Sequence, residues 1–436
     1  MFRRSLGCAD TTLLPTFFTV GNRLSPSAAR PVRRSNQPQS PHIVVGITSS
    51  QSCLVLSGRL HTLREAGFRV TLVSSPGELL TRTAALEGVE SVAIPMRREV
   101  ALFADLWSLL RLCWLLWLLK PEMTEFSTPK AGLLGSIAAL LCGVPTRVYL
   151  LRGLKLETST GFKRMVLLAA ERLASACSHA VLCNSDSLRN EALALGVAPE
   201  GKLRLLGGGS SNGVDIDRFS PGENDLRERL GLPANAPVVG FVGRLTRDKG
   251  VPELVEAFDG ILIAKPDAHL LLVGWFDSAD DALSRRLRAR IERHPRIHIT
   301  GFVADTAPYY RAMDVMVLPT WREGFPNVIL EAAASGIPVV TTLCTGSRDA
   351  VVPEVTGLLI PPGYPVAIRE SVMQLLNNPE RRWRMGQAAR AWVLNHYVNE
   401  SVLGRTVRYY QTLLDRNLPR SARIGTVSAD SALNPI

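Results

Sequence analysis

R-E-G-F-P-N-V-I-L-E-A-A-A-S-G-I-P-V-V, residues 322–340, places two carboxylates, Glu323 and Glu331, eight positions apart around a G-F-P turn. An apolar run, V-M-V-L-P at 315–319, leads in, and a second, P-V-V at 338–340, leads out. Between them the small-residue segment N-V-I-L-E-A-A-A reads as a helix, with Pro326 expected in its first turn, where a fixed φ is tolerated and no donor is lost. The first amides of such a helix have no partner inside it, and the macrodipole adds partial positive charge there, so an anion is favoured at this end. At a rise of about 1.5 Å per residue, Glu331 lies about one and a half turns inside the helix and Glu323 lies before it. Two acids flanking an anion-binding turn suit a ligand that carries both a phosphate and several hydroxyls.

Strand-turn-helix is also the pattern around this stretch. Segments at His42–Gly46, 68–73, 91–95, 146–151 and 180–183 read as strands alternating with helices, and a second series follows at Val238–Val242, 268–273, 297–300, Val315–Leu318 and 338–341. Such alternation predicts α/β architecture with doubly wound parallel sheets. At 436 residues the chain exceeds what one core usually serves, so two Rossmann-like domains are expected. Their boundaries read as 42–205 and 223–400, with a hinge at 206–222, a helix at 401–418 and a tail at 419–436.

Two further segments carry chemistry. G-F-V-G-R-L-T-R-D-K-G, residues 240–250, follows the first strand of the second series. Its Gly243 lets backbone approach a ligand, and Arg244 and Lys249 are spaced to bracket a diphosphate. G-G-G-S-S-N-G-V-D-I-D-R-F-S-P, residues 207–221, opens the second half with a backbone able to turn tightly and to present amides.

Together these segments resemble the retaining glycosyltransferases of family 4, which have the GT-B fold. The E-x7-E stretch, the G-R…K-G element and the N-G-V-D…R-F-x-P run match that family's hallmarks in order. The G-S-S form at 209–211 resembles the branch that builds capsule and other lipid-linked surface polysaccharides. So do T-P-K-A-G at 128–132, L-R-G at 151–153 with Glu157, Asn184–Ser185, and I-T-S-S at 47–50. The resemblance implies two Rossmann-like domains facing across a cleft, with the C-terminal helix returning to the first. It implies that Arg244 and Lys249 neutralise a departing nucleoside diphosphate and that Glu331 binds ribose hydroxyls. Glu323, with the backbone of Gly324, Phe325 and Pro326, would grip the donor sugar, beside Gly243 and Asn327. Ser50, Lys130, Arg152 and Glu157 would line the acceptor side. The chain departs from relatives at Glu125-Phe126-Ser127, where histidines commonly precede T-P-K, and at Tyr364, where an aspartate commonly follows the P-x-G turn.

Composition narrows the remaining classes. The formal net charge is +11, and residues 1–41 hold six arginines against one aspartate. That segment has no sustained apolar centre or period, and it reads as a disordered basic extension outside the fold. No finger, helix-turn-helix or interleaved basic and aromatic motif points to nucleic acid. The seven cysteines are scattered, with no C-x-x-C pair, so neither a disulfide framework nor a zinc site is indicated and a reducing cytosol is expected. No D-x-D or histidine cluster stands out. Arg244 and Lys249 can do the electrostatic work of a divalent ion, so no metal and no cofactor are expected. The run L-W-S-L-L-R-L-C-W-L-L-W-L-L, Leu106 to Leu119, is shorter than the roughly 20 residues of a spanning helix. Trp107, Trp114 and Trp117 share one face of it, as in a helix lying on a bilayer surface, and its other face can pack on the first sheet.

The expected function is transfer of a hexose from a nucleotide-sugar donor, a UDP-N-acetylhexosamine or UDP-hexose, to a lipid-linked saccharide. The setting would be surface polysaccharide or glycolipid assembly, on the cytoplasmic side and peripheral to the membrane. Alternatives on the same fold are a nucleotide-sugar epimerase, a phosphorylase, or a non-catalytic nucleotide-sugar-binding protein.

Overall fold

The computed structural model describes residues 40–417 apart from residues 98, 100, 224 and 278–280. The extension and the tail expected from the sequence therefore lie largely outside the described residues. The first half runs β1 (His42–Gly46), α1 (Arg59–Glu65), β2 (Arg69–Ser74), α2 (Glu78–Glu87), β3 (Glu90–Ala93), α3 (Leu102–Leu119), β4 (Met123–Ser127), α4 (Pro129–Leu141), β5 (Thr146–Leu151), α5 (Gly161–Cys177), β6 (Ala180–Cys183), α6 (Asp186–Ala194) and β7 (Leu203–Leu205). The second half runs α7 (Leu226–Arg229), β8 (Val238–Val242), α8 (Val251–Ala264), β9 (His269–Val273), α9 (Arg285–Arg293), β10 (Ile297–Ile299), α10 (Ala307–Arg311), β11 (Val315–Leu318), α11 (Asn327–Ala334), β12 (Val339–Thr342), β13 (Gly357–Ile360), α12 (Pro365–Leu376), α13 (Pro379–His396) and α14 (Asn399–Asn417).

The strands form two all-parallel sheets, ordered β3-β2-β1-β4-β5-β6-β7 and β10-β9-β8-β11-β12-β13. Parallel strands covered on both faces need continuous apolar runs, and β1, β8, β9 and β11 are buried at every position. In each sheet the order reverses once, between β1 and β4 and between β8 and β11. A doubly wound sheet opens a crevice at that point, beyond the carboxyl ends of its strands. The two crevices face each other, and α14 leaves the second domain to pack on α1 of the first.

Four local differences from the sequence reading have physical causes. β4 was not anticipated, because M-T-E-F-S carries an acid in its centre; Glu125 is buried there by an ion pair with Arg59 at 2.7 Å. The short strands β7 and β13 carry too few residues to show a period. The helix expected after β1 is two pieces, a 3-10 turn at Ser50–Leu56 and then α1, divided where Gly58 takes φ +75°. Finally, α11 begins at Asn327, so Pro326 is the residue that caps it rather than part of its first turn.

Candidate active site

A cavity of about 690 Å³ lies between the two crevices, lined from both domains by Arg152, Gly243, Lys249, Glu323, Gly324 and Glu331 among others. Its floor is set by backbone packing. β8 ends at Val242, and the amide of the next residue, Gly243, donates to the carbonyl of Val273 at 2.9 Å. Seven residues on, Gly250 caps α8 with φ +73°, and a Cβ there would stand 1.9 Å from the carbonyl oxygen of Pro319 at the end of β11. Only glycine fits so close a left-handed turn. This approach puts Lys249 beside the segment that follows β11, where its Nζ meets Glu323 Oε1 at 2.5 Å.

Around this pair, Arg322 donates from Nη2 to Asp248 Oδ2 at 2.9 Å, and Thr246 Oγ1 donates to Asp248 Oδ1 at 2.6 Å. Burial works against the charge of Asp248, but Lys249, Thr246 and Arg322 outweigh it and hold its pKa below the usual carboxylate range. In α11, Glu331 Oε2 accepts from the Tyr310 hydroxyl at 2.8 Å and from Thr306 Oγ1 at 3.4 Å. Burial pushes the Glu331 carboxyl up, with Tyr310 acting in the opposite sense. The site therefore offers a carboxylate salted to an amine, a second carboxylate held by neutral donors, and helix-start amides at Asn327 and Val328.

The domains meet at its edge. A Cβ on Gly324 would stand 2.0 Å from the carbonyl oxygen of Arg152, so the loop after β11 lies backbone against backbone on the loop after β5. Side chains fasten the same seam. Thr345 Oγ1 donates to Glu157 Oε1 at 2.6 Å, Arg322 Nε to Thr158 Oγ1 at 3.1 Å, and Ser210 Oγ to Asn327 Oδ1 at 3.1 Å. Asp349 Oδ2 accepts from the Ser187 amide at 3.0 Å and from its hydroxyl, and the Gly346 amide donates back to Ser187 Oγ at 2.8 Å.

The family described as "Glycosyl transferases group 1" matches residues 236–378, and "Glycosyl transferase 4-like domain" matches residues 58–209. The capsular polysaccharide biosynthesis glycosyltransferase CapM of Staphylococcus aureus is 35% identical over 369 residues, which span 84% of this chain and 96% of that protein. The chain belongs to the group 1 glycosyltransferases. The Escherichia coli UDP-Gal:alpha-D-GlcNAc-diphosphoundecaprenol alpha-1,3-galactosyltransferase is 30% identical over 281 residues, 63% of this chain and 71% of that protein. Among solved structures, HepE of Anabaena in complex with UDP superimposes with a TM-score of 0.70 at 19% identity, covering 85% of this chain and 100% of that one. Sucrose-phosphate synthase from Thermosynechococcus elongatus gives 0.73 at 20% identity, covering 86% and 100%. These likenesses give the GT-B fold.

Within this glycosyltransferase the residues singled out from the sequence separate into two groups. Gly243, Lys249, Glu323, Gly324, Phe325, Pro326, Asn327, Glu331 and Arg152 all line the cavity. Four do not. Arg244 turns to Asp277 at 2.8 Å, with Asp248 at 3.9 Å, so the expected bracket of two cations is split. Lys130 is held by both oxygens of Asp105, at 2.6 and 2.8 Å, and by the carbonyl of Glu99. Ser50 opens the 3-10 turn and packs against Gly77, and the cavity meets that turn only at Cys53, Leu54 and Val55. Glu157 is spent on Thr345, and burial raises its pKa.

The sequence reading missed the loop after β10, where Phe302, Val303, Ala304 and Thr306 close the far end of the cavity of this glycosyltransferase. The one signal was a glycine, Gly301, at a strand end. Arg59 and Tyr410, which surround Glu125, were missed too, since nothing local relates three positions so far apart. Among the described residues no group of three or more His, Cys, Asp or Glu is arranged to hold a metal ion.

Proposed function

We propose that this glycosyltransferase moves a hexose from a UDP-sugar to a saccharide carried on a polyprenyl diphosphate, in surface polysaccharide or glycolipid assembly, with retention of configuration. The observation that carries the reading is the salted Lys249–Glu323 pair and the Tyr310-held Glu331 lining one cavity at the meeting of two switch points. Glu331 accepts the ribose hydroxyls, and Glu323 with the backbone of 324–326 holds the donor sugar. Lys249 meets the diphosphate, with Arg244 contributing from behind its Asp277 partner. The acceptor hydroxyl oxygen forms the new bond to the anomeric carbon as the bond from that carbon to the diphosphate oxygen breaks. The hydroxyl proton passes to the departing diphosphate on the same face. Lys249 and Arg244 take the place of a divalent cation in this scheme. Closure of the seam around 324 and 346 excludes water and limits hydrolysis.

The nature of two relatives supports the substrate classes: one is named for capsular polysaccharide biosynthesis, the other for UDP-Gal and a diphosphoundecaprenol acceptor. Peripheral seating on the cytoplasmic face of a membrane fits α3, which is apolar along 18 residues yet mostly uncovered by the protein. Phe103 is 92% exposed and Trp117 65%, and Arg111 lies over the Trp107 ring at 5.3 Å. An amphipathic surface with aromatic anchors and a basic partner suits the headgroup boundary. Incubation with a panel of UDP-sugars and polyprenyl-diphosphate-linked sugars tests the reading. An extended lipid-linked product from one donor is expected. Conversion of a UDP-sugar to its epimer with no acceptor present would overturn it.

A further inference from the structure

α5 carries an apolar stripe on its outer side, where a helix that covers one face of a sheet ordinarily carries polar residues. Its inner side is filled in the usual way: Glu171, Ala174, Ser175 and Cys177 are buried, and Leu167 and Leu168 pack on the core. Outside lie Phe162, Met165, Val166, Ala169 and Leu173, all exposed, Phe162 at 79% and Met165 at 68%. At about 3.6 residues per turn these five fall within about 60° of one line along the helix, and Lys163 and Arg172 flank that line on either side. Apolar exposure continues across the neighbouring helices. α5 and α3 each pack on α4, whose Leu140 and Leu141 are exposed, and α3 adds its own exposed tryptophans.

Exposed charge on these three helices has one sign. Arg111, Lys163, Arg164 and Arg172 are exposed. The two acids are turned away: Asp105 is held by Lys130 at 2.6 Å, and Glu171 is buried against the Tyr149 hydroxyl. A second copy related by a twofold axis would set these cations against their own images. The ends of the chain do not answer them either, since residues 1–39 hold six arginines and one aspartate, and residues 418–436 two arginines and one aspartate. An apolar stripe edged with Lys and Arg matches a bilayer of anionic lipid, whose acyl chains take the apolar side chains while the cations reach up to the headgroup phosphates. α5 also begins beside the cleft. Its first residue, Gly161, follows closely on Thr158, whose Oγ1 accepts from Arg322 Nε of the second domain at 3.1 Å.

We propose that the outer stripe of α5 is a second lipid-docking element, that α3 and α5 enter an anionic bilayer together, and that this seats the interdomain seam at Thr158 next to the lipid surface. The proposal rests on the peripheral seating read from α3 above and fixes which face of the first domain lies on the lipid. Flotation of the full chain with vesicles of phosphatidylcholine alone, and of phosphatidylcholine mixed with phosphatidylglycerol, tests it without turnover. The wild type is expected to float with the mixed vesicles and far less with the neutral ones. Phe162→Ser combined with Met165→Ser, at two exposed positions, is expected to keep Tm unchanged and to lower partitioning onto the mixed vesicles about tenfold, with α3 intact. Lys163→Glu is expected to lower it about threefold and to leave partitioning onto neutral vesicles as it was. Wild-type partitioning in the Phe162/Met165 double variant overturns the role of α5 and leaves that of α3 standing. A wild type that floats with neither vesicle overturns the peripheral seating itself, so the two failures are distinct. A dimer in sedimentation velocity that the double substitution dissolves assigns the stripe to a second copy and overturns the lipid.

Discussion

At the scale of single residues, spacing in the sequence announced which groups could act, and pairing in the fold decides which of them face the ligand. Lys249 and Arg244 are five residues apart and chemically alike. Only Lys249 reaches the cavity, because Gly250 draws it against β11 while Asp277 claims Arg244. Lys249→Ala is therefore expected to lower kcat on the order of a hundredfold. Arg244→Ala should cost about tenfold or less, and parallel steady-state kinetics of the two variants decide the matter; equal losses would return Arg244 to the cavity. Gly243, Lys249 and the stretch from Glu323 to Glu331 were legible as one cluster because they follow strand ends, where a local motif is also a local place. Lys130 is paired with Asp105, which lies on a different helix, and no spacing reports that. Glu125 was noticed only as a departure from a family pattern, since an acid inside a strand becomes intelligible only once Arg59 is seen beside it.

At the scale of elements, periodicity identified most strands and helices and failed where tertiary partners override it. β4 is the clearest instance, and the break at Gly58 is another. α3 satisfies two demands at once: Leu112, Leu115 and Leu116 are buried beneath it, while its tryptophans stay outside. Replacing Trp107, Trp114 and Trp117 with serine should abolish co-sedimentation with anionic phospholipid vesicles and leave UDP affinity unchanged. Retained co-sedimentation would place the lipid contact elsewhere. In α5, Glu171 is buried and accepts from the Tyr149 hydroxyl at 2.6 Å, and burial pushes its pKa from 4.5 up to about 7. The fold thus favours the protonated acid. Its contribution to stability is whole below about pH 4.5, declines as the pH rises, and is gone above about pH 7, a change on the order of 3 kcal/mol at most. Glu171→Gln, neutral throughout and still able to accept from Tyr149, should flatten the dependence of Tm on pH between about 5 and 8. A scanning-calorimetry profile as steep as that of the wild type would contradict this.

At the scale of the whole molecule, two sheets with matching switch points form one site only if their loops are held in register, and the seam of backbone at 152 and 324 does so. Asp349 fastens it from the second domain to the first residues of α6. Asp349→Ala should let the domains part more readily, seen as a larger radius of gyration in solution scattering and faster release of UDP; an unchanged radius would show that the backbone contact alone suffices. Two-domain organisation was visible in the repeated strand-helix rhythm, but the seam was not, since it joins glycines whose neighbours in space are other backbones. The reach of α14 has a consequence for how the protein is made. Tyr410 meets Glu125 across 285 positions of chain, so a ribosome that has just released the first sheet holds a domain whose central acid lacks one of its donors and whose α1 face is uncovered. Packing of the first sheet is completed by a helix made much later, and a chain cut short before residue 410 is expected to yield a first domain prone to capture by chaperones rather than a free-standing half-enzyme.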